Sequence, residues 1–178
     1  MKQLLIVFLL ILFSVSVFGQ ADSGASQNQK SVMTSIDGQT FGPAELNGKV
    51  VVLNFWYTSC PPCLKEIPEL NDLVREYSDK DVVFLALATD DADSIKEFLV
   101  DHPFEYEIVP SATLLMFRFL KPDKNGNMET QFPTHIVVDR EGNRTVYETG
   151  LKGINVVKNE LKKQFEMKVD SASKTAAN

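Results

Sequence analysis

Hydrophobic positions follow two alternating periods along the chain from about residue 31 onward. Short runs of β-branched and aromatic residues bounded by turn residues are typical of strands, whereas apolar positions spaced three or four apart are typical of helices. The predicted strands cover residues 31–36, 39–41, 49–56, 82–88, 134–138 and 143–148. The predicted helices cover residues 61–77, 93–100, 114–120 and 153–167. This order predicts an α/β fold, with a central mixed β-sheet flanked by helices and an N-terminal β-hairpin that turns at Asp37-Gly38.

Residues 1–19 have the three parts of a secretory signal peptide: a positive start at Lys2, an apolar run over 4–18, and small residues near the end. The apolar run is shorter than the ~20 residues that span a bilayer, which favours cleavage after Gly19 over an uncleaved membrane anchor. We therefore predict export. The remaining predicted parts are a linker over 20–30, one domain over 31–168, and a flexible tail over 169–178.

The charge balance limits the classes of partner. The chain has 178 residues, with 24 acidic and 18 basic side chains and a net charge of −6. This balance argues against nucleic acid as a partner and offers no basic patch to an anionic membrane. Residues 123–134 open like a calcium loop, but Thr134 stands where a bidentate Glu is required. We assign no metal and no cofactor.

The chain contains two cysteines, Cys60 and Cys63, separated by two prolines. Exported proteins that use disulfides as staples usually carry several pairs. A bridge that closes so short a loop removes little entropy from the unfolded chain. We therefore interpret the pair as a redox-active disulfide rather than a structural bridge.

Cys60 is predicted to lie at the start of a helix that follows a buried strand. Helix N-termini and C-x-x-C settings lower the pKa of a cysteine from about 8.5 to ~3.5–7.5, and the thiolate is the attacking species. Cys60 is thus the expected nucleophile. Cys63, one turn later and expected to be more buried, is the resolving cysteine that breaks the mixed disulfide.

Pro61 and Pro62 change this picture, because neither residue has a backbone N–H to donate to the Cys60 sulfur. Fewer donors stabilise the thiolate less and make the pair a weaker oxidant. We predict a potential nearer to the ~−270 mV of thioredoxin than to the ~−120 mV of DsbA, which favours a reductase.

Two segments resemble the TlpA/ResA-like branch of the thioredoxin-fold proteins. They are VVLNFWYTSCPPCLKEIPEL at 51–70 and FPTHIVVDREGN at 132–143, and the similarity covers roughly 32–167. The resemblance implies a thioredoxin-like fold and a protein disulfide oxidoreductase. It also implies that the Phe132–Pro133 bond is cis and that Pro133 faces the disulfide, since X–Pro is where cis bonds occur.

The chain departs from thioredoxin at Asn54, where thioredoxin has a buried Asp that serves the second cysteine. An amide cannot act as that base. In ResA-like proteins a carboxylate on the loop after the next strand lies near the active site, and Asp90 or Asp91 matches that location. We assign Asp91 to the catalytic set, with capping of the next helix as the alternative for both residues.

Aromatic residues lie close to Cys60 and next to Pro133 in the sequence. We assign Trp56, Tyr57 and Phe132 to a substrate groove, with Trp56 also expected to pack beside the site. Glu66 matches the family pattern, although a solvated helix surface explains it almost as well. His135 is expected to be a core or groove histidine rather than a metal ligand.

These inferences predict an exported reductase of protein disulfides in a bacterial envelope. The resemblance implies an electron donor of the DsbD/CcdA type in the membrane and, in some relatives, apocytochrome c as the acceptor in cytochrome c maturation. One alternative is a thioredoxin-fold copper carrier that uses Cys60, Cys63 and His135, although its relatives space the cysteines by three residues. The other is a peroxiredoxin-like peroxidase, whose motif requires Thr and Pro where Tyr57 and Leu53 stand.

Overall fold

The structure is a computed structural model that describes residues 32–122, 124–128 and 131–175, with side chains described as far as Glu166. The predicted signal peptide over 1–19 and the predicted linker over 20–30 lie outside the described residues. Within the described ranges, no helix is long and apolar enough to cross a membrane.

The strands form one mixed sheet and one small hairpin. The hairpin consists of β1 (Met33–Thr34) and β2 (Thr40–Phe41), which pair antiparallel. The main sheet consists of β3 (Val50–Trp56), β4 (Val82–Ala88), β5 (Glu107–Val109), β6 (Thr134–Val138) and β7 (Arg144–Thr149). Its order is β5-β4-β3-β6-β7, with β3, β4 and β5 mutually parallel and β6 antiparallel to both β3 and β7. The predicted α/β class, central mixed sheet and N-terminal hairpin are confirmed.

In the part of the chain that the structure describes, five helices connect and cover the strands: α1 (Pro43–Leu46), α2 (Pro61–Glu76), α3 (Ala92–Asp101), α4 (Thr113–Met116) and α5 (Gly153–Thr175). The bounds of α2 and α3 match their predictions to within one residue at each end. The backbone of α5 continues past the predicted end at Met167 and includes most of the predicted tail, because the sequence after Met167 contains neither glycine nor proline to stop it.

The central strand β3 holds the site in place because it is buried on both faces. Its side chains alternate between two hydrophobic clusters. Val50, Val52 and Trp56 pack with α2, α3 and α5, while Val51, Leu53 and Phe55 pack with the hairpin and α4. Asn54 is the one polar residue of β3, and its side chain reaches α2.

Residues 104–122 differ most from the prediction. The strand β5 was not predicted, because only three residues pair with β4 at the edge of the sheet and so short a run leaves no clear period. The helix predicted over 114–120 is one turn long, α4, which ends at Met116. Phe119 and Leu120 nevertheless pack in the hydrophobic cluster that contains Val51, Leu53 and Phe55, as expected of apolar side chains.

Candidate redox site

Cys60 and Cys63 lie at the junction between the central strand and α2. Cys60 is the N-cap of α2 with an extended backbone, and its Sγ accepts a hydrogen bond from the backbone N–H of Cys63 at 3.3 Å. Because Pro61 and Pro62 occupy the first two helical positions, the N–H of Cys63 is the first one available to the capping sulfur. The two cysteines form a disulfide with their Cα atoms 5.3 Å apart.

Both cysteines are covered in this disulfide form. Cys60 is 1% exposed and Cys63 is 2% exposed, so the two are equally buried and the prediction that Cys63 is the more buried is wrong. The physical reason is the cap geometry, which turns the Cys60 side chain back over the helix toward the N–H of Cys63. The exposed residues at this point of the surface are Ser59 and Pro61.

Pro133 immediately precedes β6, at the end of the sheet where β3 passes into the loop that leads to α2. The Phe132–Pro133 bond is cis, as the resemblance implies. The carbonyl of Pro133 accepts the N–H of Gly150 at 2.8 Å, which ties this corner to the end of β7. The rings of Phe132 and Tyr57 meet edge to face with centroids 5.1 Å apart. Phe132 and Tyr57 are both half-buried, so this aromatic pair presents part of its surface beside the cysteine loop.

Trp56 does not line a groove, and its assignment to one is corrected. Its side chain is completely buried. The indole packs against Phe98 and Phe104, with ring centroids 5.4 Å and 5.3 Å away. The reason is strand alternation: Trp56 points to the face of the sheet that α3 covers, which makes it a core residue beneath the cysteine loop.

The structure separates the roles of Asp90 and Asp91. Asp91 is the N-cap of α3, and hydrogen bonds from the backbone N–H and then the hydroxyl of Ser94 hold the pKa of Asp91 below its usual value. Asp90 instead accepts both the backbone N–H and the hydroxyl of Thr58, each at 2.9 Å. It is therefore Asp90 that contacts the loop leading to Cys60, while the carboxylate of Asp91 is engaged in capping.

A buried polar cluster lies one helical turn beyond Cys63. Glu66 is 3% exposed, so the interpretation as a solvated helix residue is wrong. One carboxylate oxygen accepts from Nδ2 of Asn54 at 3.0 Å, and the other lies 3.1 Å from Nε2 of His135. His135 is completely buried, which confirms it as a core histidine. We name Glu66, Asn54 and His135 the buried triad.

The sequence carried a signal for the burial of Glu66 that the helix prediction did not use. Glu66 follows Cys63 by three residues and precedes Leu70 by four, which places it on the inward stripe of α2. A charged residue on such a stripe requires polar partners from the sheet. Asn54 and His135 supply them from directly paired positions on β3 and β6.

The geometry of His135 also bears on the copper-carrier hypothesis. Both ring nitrogens face members of the buried triad, with Nδ1 lying 3.4 Å from Nδ2 of Asn54. A third ligand to copper from His135 would break these contacts. Among the side chains that the structure describes, no three His, Cys, Asp or Glu residues are grouped to hold a metal ion.

The sheet order, the N-cap cysteine pair and the cis proline define a thioredoxin-like fold with a disulfide at the start of a helix. Comparison with known proteins agrees. A thiol:disulfide interchange protein of the thioredoxin family from Chlorobium tepidum is 25% identical, covers 76% of this chain and 92% of its own, and superposes with a TM-score of 0.64. The thioredoxin domain of a thiol-disulfide oxidoreductase from Bacteroides vulgatus is 21% identical, with coverages of 72% and 91% and a TM-score of 0.57.

The chain belongs to the redoxin family, whose model matches residues 22–161. Among curated proteins it is similar to thiol-disulfide oxidoreductase ResA of Bacillus thuringiensis subsp. konkukian, with 30% identity over 117 residues. That match covers 62% of this chain and 61% of the relative's length. ResA of Oceanobacillus iheyensis is 31% identical over 114 residues, which cover 64% of this chain and 53% of that protein.

Proposed function

We propose that this protein is a thiol–disulfide oxidoreductase that reduces disulfides in other proteins. The observation that carries the proposal is the Cys60–Cys63 disulfide at the N-terminus of α2. A dithiol at this position combines a nucleophile stabilised by the helix start with a second thiol in reach of the first sulfur. The ResA relatives are named for the same activity.

The reaction runs in two exchange steps. The Cys60 thiolate attacks a substrate disulfide, forms a mixed disulfide and releases one substrate thiolate. The Cys63 thiolate then attacks the Cys60 sulfur, which restores the Cys60–Cys63 disulfide and releases the second substrate thiolate. Two electrons pass to the substrate, and the protein requires a dithiol donor to return to its reduced form.

Glu66 is the side chain best placed to take the proton of Cys63 before the second step. It follows Cys63 by one turn on the same helix face, and both residues are buried. Asn54 cannot accept this proton as a base, but its amide donates to the Glu66 carboxylate and holds it in position. Asp91, the carboxylate assigned from the sequence, is exposed and engaged in capping α3.

The two prolines between the cysteines support a reductive direction of electron flow. The Cys60 sulfur accepts one backbone N–H, that of Cys63, because Pro61 and Pro62 have none to give. With few donors the Cys60 thiolate is stabilised less, so the reduced form of the pair is less favoured and the pair is a stronger reductant. We therefore propose a potential near that of thioredoxin, ~−270 mV, and a reductase role.

Insulin reduction tests the proposal directly. The reduced protein should precipitate insulin chains in the presence of dithiothreitol, and both Cys60→Ser and Cys63→Ser should abolish the effect. Cys63→Ser should in addition retain substrate as a mixed disulfide on Cys60, which non-reducing electrophoresis detects. Full activity of Cys60→Ser, or consumption of hydrogen peroxide without insulin reduction, would contradict the proposal.

We also propose that the protein works outside the cytoplasm of a bacterium and receives electrons from a membrane donor of the DsbD/CcdA type. The support is the signal-peptide pattern over 1–19 and the resemblance described above. Mass spectrometry of the protein recovered from the cell envelope should give an N-terminus at Gln20. Capture of mixed disulfides by Cys63→Ser in that envelope should identify the donor and show whether apocytochrome c is the acceptor.

A further inference from the structure

The carboxylate of Glu66 is held between two side chains from neighbouring strands. Nε2 of His135 lies 3.1 Å from one carboxylate oxygen, and Nδ2 of Asn54 lies 3.0 Å from the other. The side chain of His135 is fully buried and that of Glu66 is 2% exposed, so water does not compete for these bonds. The carboxylate cannot turn away from its donors without leaving a buried charge unpaired.

The contacts also assign the proton on the His135 ring. Nδ1 faces Nδ2 of Asn54 at 3.4 Å, and an amide nitrogen donates, so Nδ1 is the acceptor of the ring. The ring proton therefore sits on Nε2 and is donated to Glu66. This neutral tautomer satisfies all three contacts of the buried triad. It also leaves about two of the roughly four acceptor sites of the carboxylate open.

We propose that His135 is a positioning residue for the resolving step, where it holds the Glu66 carboxylate as the proton acceptor for the Cys63 thiol. The role rests on the proposed function, in which Cys63 resolves the mixed disulfide. The S–H proton of Cys63 passes to a carboxylate oxygen of Glu66, and the thiolate attacks the Cys60 sulfur. The Cys60–Cys63 bond forms, the bond from Cys60 to the substrate sulfur breaks, and the substrate leaves as a thiolate. Glu66 later returns the proton to solvent.

Gly153 lies against the imidazole of His135 at its Cδ2 edge. It is the first residue of α5, and a Cβ atom at this position would overlap the His135 ring. The start of α5 thus packs directly on the ring and limits the positions that the ring can take. Any larger residue at 153 forces either the ring or the helix to move.

The other titratable groups around the buried triad come from the segment before β5 and from β7, α2 and α5. Burial, and to a smaller extent the charge of the neighbouring carboxylate, raises the pKa of Tyr106 well above its usual value, so Tyr106 stays a neutral phenol. Its hydroxyl has no hydrogen-bond partner in the part of the chain that the structure describes. Glu148 on β7 is registered opposite His135. On α5, Lys158 is paired with Glu69 of α2.

The experiment separates the two chemical steps with a chromogenic aromatic disulfide, dithiobis(nitrobenzoate). Attack by Cys60 releases a first coloured thiolate, and resolution by Cys63 releases a second, so stopped-flow absorbance records two phases. Loss of the first phase in the unmodified protein would overturn the proposed function. The inference about His135 concerns the second phase alone.

His135→Phe keeps an aromatic ring at this position and removes both ring nitrogens. We expect it to slow the second phase by at least about tenfold near neutral pH, in line with the loss of a positioned base. The second phase should then speed up toward alkaline pH, where a thiol ionises unaided at about 8.5. The first phase should stay within about twofold. His135→Gln, which keeps an N–H donor, should recover most of the rate.

Glu66→Gln provides the decisive comparison, because His135 is proposed to act through Glu66. The double variant with His135→Phe should be no slower than Glu66→Gln alone, since residues that act as a unit are not additive. Additive losses would overturn the proposal. So would an unchanged second phase and pH profile in folded His135→Phe. Glu148→Gln is the charge control and should leave both phases unchanged.

Should His135→Phe fail to fold, Gly153→Ala tests the same point with all ionisable groups intact. Crowding of the ring should slow the second phase in the wild-type background and leave it unchanged in the Glu66→Gln background. Equal effects in both backgrounds, or none in either, would overturn the positioning role.

Discussion

Asp90 accepts two hydrogen bonds from Thr58, one from the backbone N–H and one from the hydroxyl, each 2.9 Å long. Thr58 belongs to the loop between β3 and α2, and Asp90 follows β4, so the contact fastens the loop that carries Cys60 to the next strand. The backbone carbonyl of Asp90 in turn accepts the N–H of Ser111 at 2.8 Å, which joins the segment after β5 to the same point.

Asp90→Ala should therefore loosen the cysteine loop. It leaves a part-buried N–H and hydroxyl of Thr58 without an acceptor, which costs about 1–3 kcal/mol in the free energy of unfolding. We also expect a slower first exchange step, because the position of Cys60 is less defined. Urea unfolding and the two-phase exchange assay measure these effects. Asp91→Ala is the matched control: it removes the cap of α3 and should lower stability without changing the rate of either step.

The alternative from the sequence, in which Asp91 is the base for Cys63, predicts that a change at Asp91 does alter the exchange rates. Asp91→Asn would then slow the second exchange step and shift its pH profile. The hydrogen bonds from Ser94 and Asp93 to this carboxylate favour the capping role, and the same assay decides between the two.

Pro62→Ala should make the protein a stronger oxidant. An alanine at the second helical position supplies a backbone N–H that the Cys60 sulfur can accept in addition to that of Cys63. The thiolate gains a donor, so we expect the pKa of Cys60 to fall and the reduction potential to rise. Thiolate absorbance against pH and equilibration with a glutathione buffer give the two quantities. Pro68→Ala, on the exposed face of the same helix, is the control and should change neither.

Tyr57→Ala should expose the disulfide to small thiols. Cys60 is 1% exposed in this form, and the half-buried pair of Tyr57 and Phe132 lies next to the cysteine loop. Removal of one ring opens this corner, so reduction by dithiothreitol should be several times faster than in the wild type. Val100→Ala changes an exposed apolar residue near the C-terminal end of α3 and should leave the rate unaltered. A slower or equal rate for Tyr57→Ala would show that this ring does not shield the disulfide.

Asp139→Asn should make the protein less sensitive to acid. Hydrogen bonds led by the backbone N–H of Asn143 hold the pKa of Asp139 below its usual value in the folded state. A carboxylate of this kind adds stability above its unfolded pKa of about 3.9, and that stability is lost as the pH falls through the lower folded value. The wild type should therefore lose more stability than Asp139→Asn between about pH 5 and about pH 2.5.

Urea midpoints at the two pH values measure this difference. Asn143→Ala is the matched control, because it removes only the side-chain donor at 3.2 Å and keeps the backbone donor at 2.7 Å. Its acid sensitivity should stay close to that of the wild type. An equal loss of stability in the wild type and Asp139→Asn would refute the linkage.

The strands that carry the site were predictable because burial on both faces leaves a strong local signal. The predicted strand over 82–88 coincides with β4, and the predicted strand over 49–56 starts one residue before β3. The position of Cys60 as an N-cap also followed from local sequence, since it lies between an apolar run and a helical period. The edge strand β5 and the one-turn α4 depend on pairing and packing with distant residues, and their own sequences did not reveal them.

The partners of the site were harder to predict than its cysteines. Glu66 and His135 lie 69 residues apart in sequence, and their contact depends on the pairing of β6 with β3 and the placement of α2 over both. Asn54 was noted only as the position where the base of thioredoxin is missing. In the structure its side-chain amide donates a hydrogen bond to the Glu66 carboxylate. Trp56 was assigned to the substrate groove, but the alternation of side chains along β3 directs its indole into the core.

The position of Gly153 against the His135 ring has a consequence for how the protein is made. Synthesis proceeds from the N-terminus, so both cysteines leave the ribosome well before residues 135 and 153 exist. Until then Glu66 has no imidazole beside it, because neither His135 nor the start of α5 that packs on its ring has been made. The contacts of the buried triad form only once β6 and the start of α5 are in place.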